Sequence, residues 1–346
     1  MRLTSFIVVI VFGVFSFSAP SPIAVAADPI IIDEAPAALK KVESRYWATS
    51  FSPDGQSVAV TGGWDKPAEP GVLTIFDAPT GAPKLIRRQE QTIRTVAYAP
   101  DGKRLAIGDF AGSVRIVNPE NGQILNTLPP HEKLVNSVAF SADGKLLFAG
   151  SFDGQITMWD VKEETVVHRF LVGDDAIVSL AVGSDNKHLG AVTWHGKLHL
   201  WDYPARVEKY TLSATNELPN APRIVEAIAF APDSKSFVTG SWDTCLKIRA
   251  TEGGKVLHEL SGHKGSIHCA AYSPTGESLV TSDQSGSIFI WDPVTGDLVD
   301  EIIAHTDRCC GLAFSPDGKL LATAGWDRAT RIWNTKTWEI VEQKAK

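Results

Sequence analysis

The chain has 346 residues, a formal net charge of −7 and four cysteines. An acidic chain without long basic blocks is poorly suited to a phosphate backbone, which needs clustered Lys and Arg, so no nucleic-acid partner is expected. Four cysteines in so long a chain also exclude a fold built on disulfides.

Residues 1–27 read as a secretory signal peptide. Arg2 precedes the apolar run from Phe6 to Phe15, Pro20 and Pro22 follow, and Ala24-Val25-Ala26-Ala27 offers small residues for cleavage. The run is shorter than the roughly 20 residues of a membrane span, and no cysteine near the junction invites a lipid anchor. The mature protein is therefore expected in the periplasm or outside the cell, without stable membrane insertion, and with a charge of −8 once Arg2 is lost. Residues 28–44 form a lead-in segment containing Ile30-Ile31-Ile32 and Lys40-Lys41.

Residues 45–346 hold seven copies of one unit. Each opens on an aromatic or apolar residue, at Phe51, Tyr98, Phe140, Val182, Phe230, Tyr272 and Phe314, spaced 47, 42, 42, 48, 42 and 42 residues apart. A period of this length marks a repeat architecture, so the chain uses its length as one domain. A turn tetrad follows each opener, clearest as Ser52-Pro53-Asp54-Gly55, Ala99-Pro100-Asp101-Gly102 and Ser315-Pro316-Asp317-Gly318; proline presets the turn and glycine supplies positive φ. Nineteen residues past the opener stand Trp159, Trp201, Trp291 and Trp333, with Val117 and Arg249 as weak copies and Phe76 displaced by an insertion. The runs between are short and alternate with period two, as in Ser287-Ile288-Phe289-Ile290-Trp291, which predicts strands. At about 5 to 6 residues per strand, one unit accommodates four. The fold predicted is all-β: a seven-bladed β-propeller of four-stranded antiparallel blades.

With its Trp-Asp pairs and Gly262-His263, the chain resembles the WD-repeat (WD40) family of propellers, typified in fold by the β subunit of heterotrimeric G proteins. The resemblance covers roughly Arg45 to Gln343. It implies a hydrogen-bonded set of His, Ser or Thr, Asp and Trp inside a blade. The third blade matches completely with His131, Ser137, Asp153 and Trp159; the seventh keeps His305, Asp327 and Trp333 but has Gly311, and the sixth has Cys269 and Ser285. His263 reads as a structural histidine of the same kind. The family commonly closes its ring with an amino-terminal strand, whereas here Trp338 to Glu342 stands in register to supply the outer strand, so the closing terminus is left open.

Insertions at Lys66 to Gly71 and within Ser213 to Arg223 fall on connections that emerge on one face. Just before the family's Asp, that face carries Trp64, Phe110, Phe152, Trp194, Trp242, Gln284 and Trp326. The starts of the innermost strands add Arg45, Trp47, Arg94, Asn136, Val178, Glu226, His268, Arg308 and Cys310. These residues predict an aromatic mouth around a central channel, and the resemblance implies that this face is the usual partner surface. The polar positions differ from blade to blade, which suits a composite recognition surface, since Trp, Tyr and Arg dominate binding hot spots.

Catalytic signals are sparse. The histidines of His258-Glu259-Leu260-Ser261-Gly262-His263 are five apart, where a zinc-protease helix needs four; His195 reads as a spacer, and no cofactor or metal motif occurs. Cys245, Cys269, Cys309 and Cys310 read as buried thiols rather than bridges. The expected function is that of a monomeric, non-enzymatic scaffold binding a protein or peptide at the mouth. The alternatives are a receptor stacking a carbohydrate or cationic group on the Trp ring, and a hydrolase at the channel mouth. Amino-terminal sequencing of the protein recovered from its source cell should read from Ala27 or Asp28; a chain that still begins at Met1 contradicts the leader.

Overall fold

The computed structural model describes residues 30–33, 44–64, 70–215 and 224–341. The leader, most of the lead-in segment and the greater part of both insertions lie outside the described residues. Every regular element among the described residues is a strand, and none is a helix that could cross a membrane.

The strands form seven sheets, one per repeat unit. In each, the chain enters on the innermost strand and works outward by antiparallel hairpins. The third blade shows the pattern, with Val135–Phe140 innermost, then Leu146–Ser151, Gln155–Asp160 and Thr165–Leu171 outermost. The opener of every unit is the last residue of its innermost strand, and the tetrad makes the first hairpin. In the first tetrad, Ser52 Oγ donates to Asp54 Oδ1 at 2.5 Å and Gly55 N–H to Ser52 O at 2.9 Å, while Gly55 takes φ +70°.

Apolar side chains leave both faces of each blade, so the core lies between blades. One cluster fills each of the seven interfaces. Between blades 2 and 3, for example, Val114, Ile116 and Leu128 pack with Val138, Leu147 and Trp159. Phe51, Val58 and Val60 of the first blade meet Ala322, Ala324 and Ile332 of the seventh, which closes the ring. The second strands are buried nearly end to end because both of their faces meet neighbouring blades.

The terminal blades depart from the four-strand expectation. Ile30–Asp33 pairs in parallel with the outermost strand Pro83–Gln89 and gives the first blade a fifth strand. Ile30–Asp33 therefore does not close the seventh blade. That blade has three strands, the last being Thr330–Asn334, and its outer position is taken by the carboxyl-terminal segment through a Trp333–Ile340 bridge and a Val341 N–H to Ile332 O bond of 2.8 Å.

The hydrogen-bonded sets differ from those the family pattern implies. In the third blade His131 Nδ1 lies 2.9 Å from Asp153 Oδ2, but His131 Nε2 and Trp159 Nε1 have no partner. Ser137 is not part of the set, since its Oγ accepts from Leu180 N–H of the next blade at 3.2 Å. The sixth and seventh blades instead join both rings through a second-strand threonine. Thr281 Oγ1 lies 2.7 Å from His263 Nε2 and accepts from Trp291 Nε1 at 2.8 Å; Thr323 Oγ1 lies 2.8 Å from His305 Nε2 and accepts from Trp333 Nε1 at 3.1 Å. Ala149 occupies the matching place in the third blade, ten residues before its Trp, and carries no hydroxyl. The carboxylate of the sixth-blade set is Asp283, two residues ahead of Ser285, which donates to it.

In the seventh blade, burial pushes the Asp327 carboxyl up, but His305 and Arg331 outweigh it and hold the group well below the usual carboxylate range. A buried hydroxyl serving two rings is costly to lose. Thr281→Val and Thr323→Val should each lower stability by about 1–3 kcal/mol in urea denaturation; wild-type stability in both variants would contradict the bridging role.

Candidate functional site

The mouth is built by a repeated irregularity in the innermost strands. Four residues before each opener, the pairing with the second strand slips by one. The slips fall at Trp47, Arg94, Asn136, Val178, Glu226, His268 and Cys310. A β-bulge leaves one residue out of the ladder and re-aims it. All seven bulge residues line the central channel, which has a volume of about 260 Å³. The residue after each bulge is small, namely Ala48, Thr95, Ser137, Ser179, Ala227, Cys269 and Gly311, and these also line the channel, where the innermost strands converge. At Gly311 a Cβ would fall 2.6 Å from Thr49 Cγ2. Ser137, Cys269 and Gly311 stand out in the sequence only as the family's Ser/Thr place; the signal of the whole ring is its constant position three residues before the opener.

A second ring sits on the connections between second and third strands. The backbone N–H groups of Phe110, Phe152, Trp194, Trp242, Gln284 and Trp326 each donate to a carbonyl two residues before a bulge, at 2.9 to 3.1 Å. That shared bond sets the aromatic ring directly above the bulge ring. Trp64 is tied differently, its carbonyl accepting from Thr92 Oγ1 at 2.7 Å.

The predicted residues divide into two arcs. Along one, Phe152 and Trp194 meet edge to face at 5.8 Å, Trp194 lies 6.0 Å from Trp242, and Trp242 lies 6.0 Å from His268. Trp194 is 40% exposed and forms the open part of this wall. Along the other, arginines lie over indoles: Arg94 Cζ is 3.7 Å from the centre of the Trp47 ring, and Arg45 is 4.1 Å and Arg308 4.3 Å from that of Trp326. Trp47 and Trp326 meet edge to face at 4.9 Å. Trp47 and His268 are 6% and 2% exposed, so they form the channel wall rather than its rim. Phe110 lies half-buried between the arcs, and His195, exposed beside the mouth, has Nδ1 2.8 Å from Asp175 Oδ1.

Polar bonds link the bulge ring. Arg94 Nε donates to Asn136 Oδ1 at 2.7 Å, and Asn136 Nδ2 donates to Val178 O. Glu226 Oε2 accepts from Trp242 Nε1 at 2.6 Å and lies 2.6 Å from His268 Nδ1. Burial pushes the Glu226 carboxyl up, but the His268 ring, the Arg94 charge and the Trp242 N–H outweigh it and hold the group at about 2. The thiols follow the opposite course. Burial lifts Cys309 to about 12, and burial together with nearby negative charge raises Cys269 and Cys310 well above an ordinary thiol. All four cysteines carry free thiols, Cys269 only partly buried. Among the described residues, no group of three or more His, Cys, Asp or Glu could hold a metal ion.

Seven blades closed into a ring around this channel define a β-propeller. Comparison with protein families matches the WD domain, G-beta repeat (WD40) over residues 122–160, 213–249, 254–292 and 296–334. Each match starts on the outer side of one blade and ends on or just past the third strand of the next. The chain is also 29% identical over 104 residues to the WD repeat-containing protein VIP3 of Arabidopsis thaliana, a stretch covering 28% of this chain and 32% of that protein. The four matched repeats, the seven-bladed fold and the WD repeat-containing relative together support a WD40 β-propeller family.

Replacing Glu226 by Gln should cost about 1–3 kcal/mol at neutral pH by removing the charge that His268 faces. Because the folded carboxyl is depressed, its stabilising contribution is present above the unfolded value of 4.5 and is lost as pH falls through about 2. The stability gap between wild type and Glu226→Gln should therefore close across that window in urea denaturation; a gap independent of pH contradicts the assignment.

Proposed function

We propose that the protein is an exported, non-enzymatic scaffold that binds a protein or peptide segment on the aromatic mouth of its propeller. WD40 propellers are generally non-enzymatic scaffolds and commonly bind protein partners. The observation that carries the choice of face is the bulge ring. Seven equivalent positions, re-aimed by the same backbone device, hold Trp47, Arg94, Asn136, Val178, Glu226, His268 and Cys310. A frame that repeats while its displayed side chains differ is a composite surface. Its rigidity keeps the ordering entropy of binding low.

Two other readings have less support. A cage for a cationic ligand needs free indole faces, yet Arg45, Arg94 and Arg308 already lie over Trp64, Trp47, Trp242 and Trp326. A hydrolase needs an activated nucleophile, and the thiols beside the channel are pushed away from the reactive thiolate. Export rests on the sequence of residues 1–27.

Quantitative capture from the exported fraction of the source cell tests the proposal. The mature wild type should retain at least one protein that a Trp194→Ala/Trp242→Ala variant of matched melting temperature loses. Identical captures by both proteins would remove the mouth as a protein site.

A further inference from the structure

The two arcs of the mouth differ in charge. On the first and seventh blades, Arg45 and Arg308 share the Trp326 ring, at 4.1 and 4.3 Å from its centre, so the two guanidinium carbons are at most about 8.4 Å apart. Neither side chain has a carboxylate partner among the described residues. The contrast with other arginines is direct, since Arg115 is 2.5 Å from Asp109 and Arg331 is 2.9 Å from Asp327. Beside Arg308 in sequence, Asp307 accepts from the backbone N–H of Arg308 at 2.7 Å. Glu226, on the fifth blade, is committed to His268 and Trp242.

The same arc has a surplus of donors. The indole Nε1 atoms of Trp47, Trp64 and Trp326 and the Nε of Arg308 are buried without an acceptor. Trp47 is 6% exposed and lines the channel. Two like charges held this close repel each other, and unpaired N–H dipoles nearby favour negative charge. A guanidinium stacked on a ring uses its face and keeps its in-plane N–H groups for another ligand.

We propose that the Arg45–Arg308 arc receives a carboxylate of an acidic segment, rich in Asp or Glu, of a protein partner. This inference rests on the reading of the mouth as a protein-binding face. A carboxylate is planar, offers only acceptors, and pairs with a guanidinium through two parallel bonds. It neutralises both arginines and brings acceptor oxygens to an arc whose indole N–H groups lack them among the described residues. The partner's backbone then crosses the channel mouth toward Trp194, whose exposed ring is the open apolar contact on the opposite arc.

Fluorescence anisotropy with the full mature chain tests this, using labelled Gly-Ser peptides that carry either a run of glutamates, the same run as glutamines, or phosphoserines in its place. The glutamate peptide should bind at least about tenfold tighter than the glutamine peptide. That margin should shrink as salt is raised and vanish in Arg45→Gln/Arg308→Gln. Lys145→Gln, which removes a positive charge from the opposite face, should leave it intact. Arg45→Lys/Arg308→Lys keeps the charge, guards against loss through misfolding, and should retain part of the margin.

Equal binding of the glutamate and glutamine peptides, absence of binding by either up to about millimolar concentration, or a margin that survives Arg45→Gln/Arg308→Gln would overturn the proposal. Tight binding of the phosphoserine peptide alone would overturn it in favour of a phosphate. If proteins are captured through the mouth but Arg45→Gln/Arg308→Gln still retains them, the binding face stands and the acidic partner falls. If no mouth variant loses a protein, it is the binding face that falls.

Discussion

A small twisted sheet with apolar side chains on both faces is stable only when both faces are covered. Each blade of this protein is such a sheet, and the cover is the next blade. The core is consequently divided into seven interfaces, the last of which joins Phe51, Val58 and Val60 to Ala322, Ala324 and Ile332. Closure is what allows each second strand to be buried along nearly its whole length. It also brings seven innermost strands around one axis, where there is room only for small residues such as Ala227 and Gly311.

Crowding at the axis and display at the mouth are reconciled by the bulges. A regular strand would alternate its side chains between the two blade interfaces. One slipped residue per strand, from Trp47 round to Cys310, breaks that alternation at the level where the channel opens. The aromatic ring above is tied to the same strands by backbone bonds two residues upstream. The frame can thus repeat while the displayed side chains do not. What they present is asymmetric, with stacked arginines on blades 7, 1 and 2 and an aromatic wall with a half-buried Glu226 carboxylate on blades 3 to 5.

Much of this was legible in the sequence because it depends on spacing. The openers Phe51 to Phe314, the turn tetrads and the tryptophans nineteen residues on define seven blades, since a turn and a buried ring have fixed costs at fixed places. The placement of Trp47, Arg94, Asn136, Val178, Glu226, His268 and Cys310 at the channel was legible too, because the starts of innermost strands can be counted back from the openers. The bulge itself left no compositional mark, being a property of pairing between two strands. The roles of Thr281 and Thr323 were missed because a threonine in a strand is ordinary until its partners are known, whereas Ser137, which matched the family pattern, serves the next blade. The terminal strands were not decided either. Ile30–Asp33 fits an outer edge as well as any short apolar run, and only pairing assigns it to the first blade.

The central claim is that one face of the ring, organised by the bulges, engages the partner. Hydrogen exchange followed by mass spectrometry, with and without a captured partner, tests it most directly. Protection should appear at the starts of the innermost strands and at the connections carrying Trp64, Trp194 and Trp326. The hairpin turns of the opposite face, such as Ser52 to Gly55 and Ser315 to Gly318, should exchange unchanged. Protection confined to those turns, or to the outermost strands, would contradict the account.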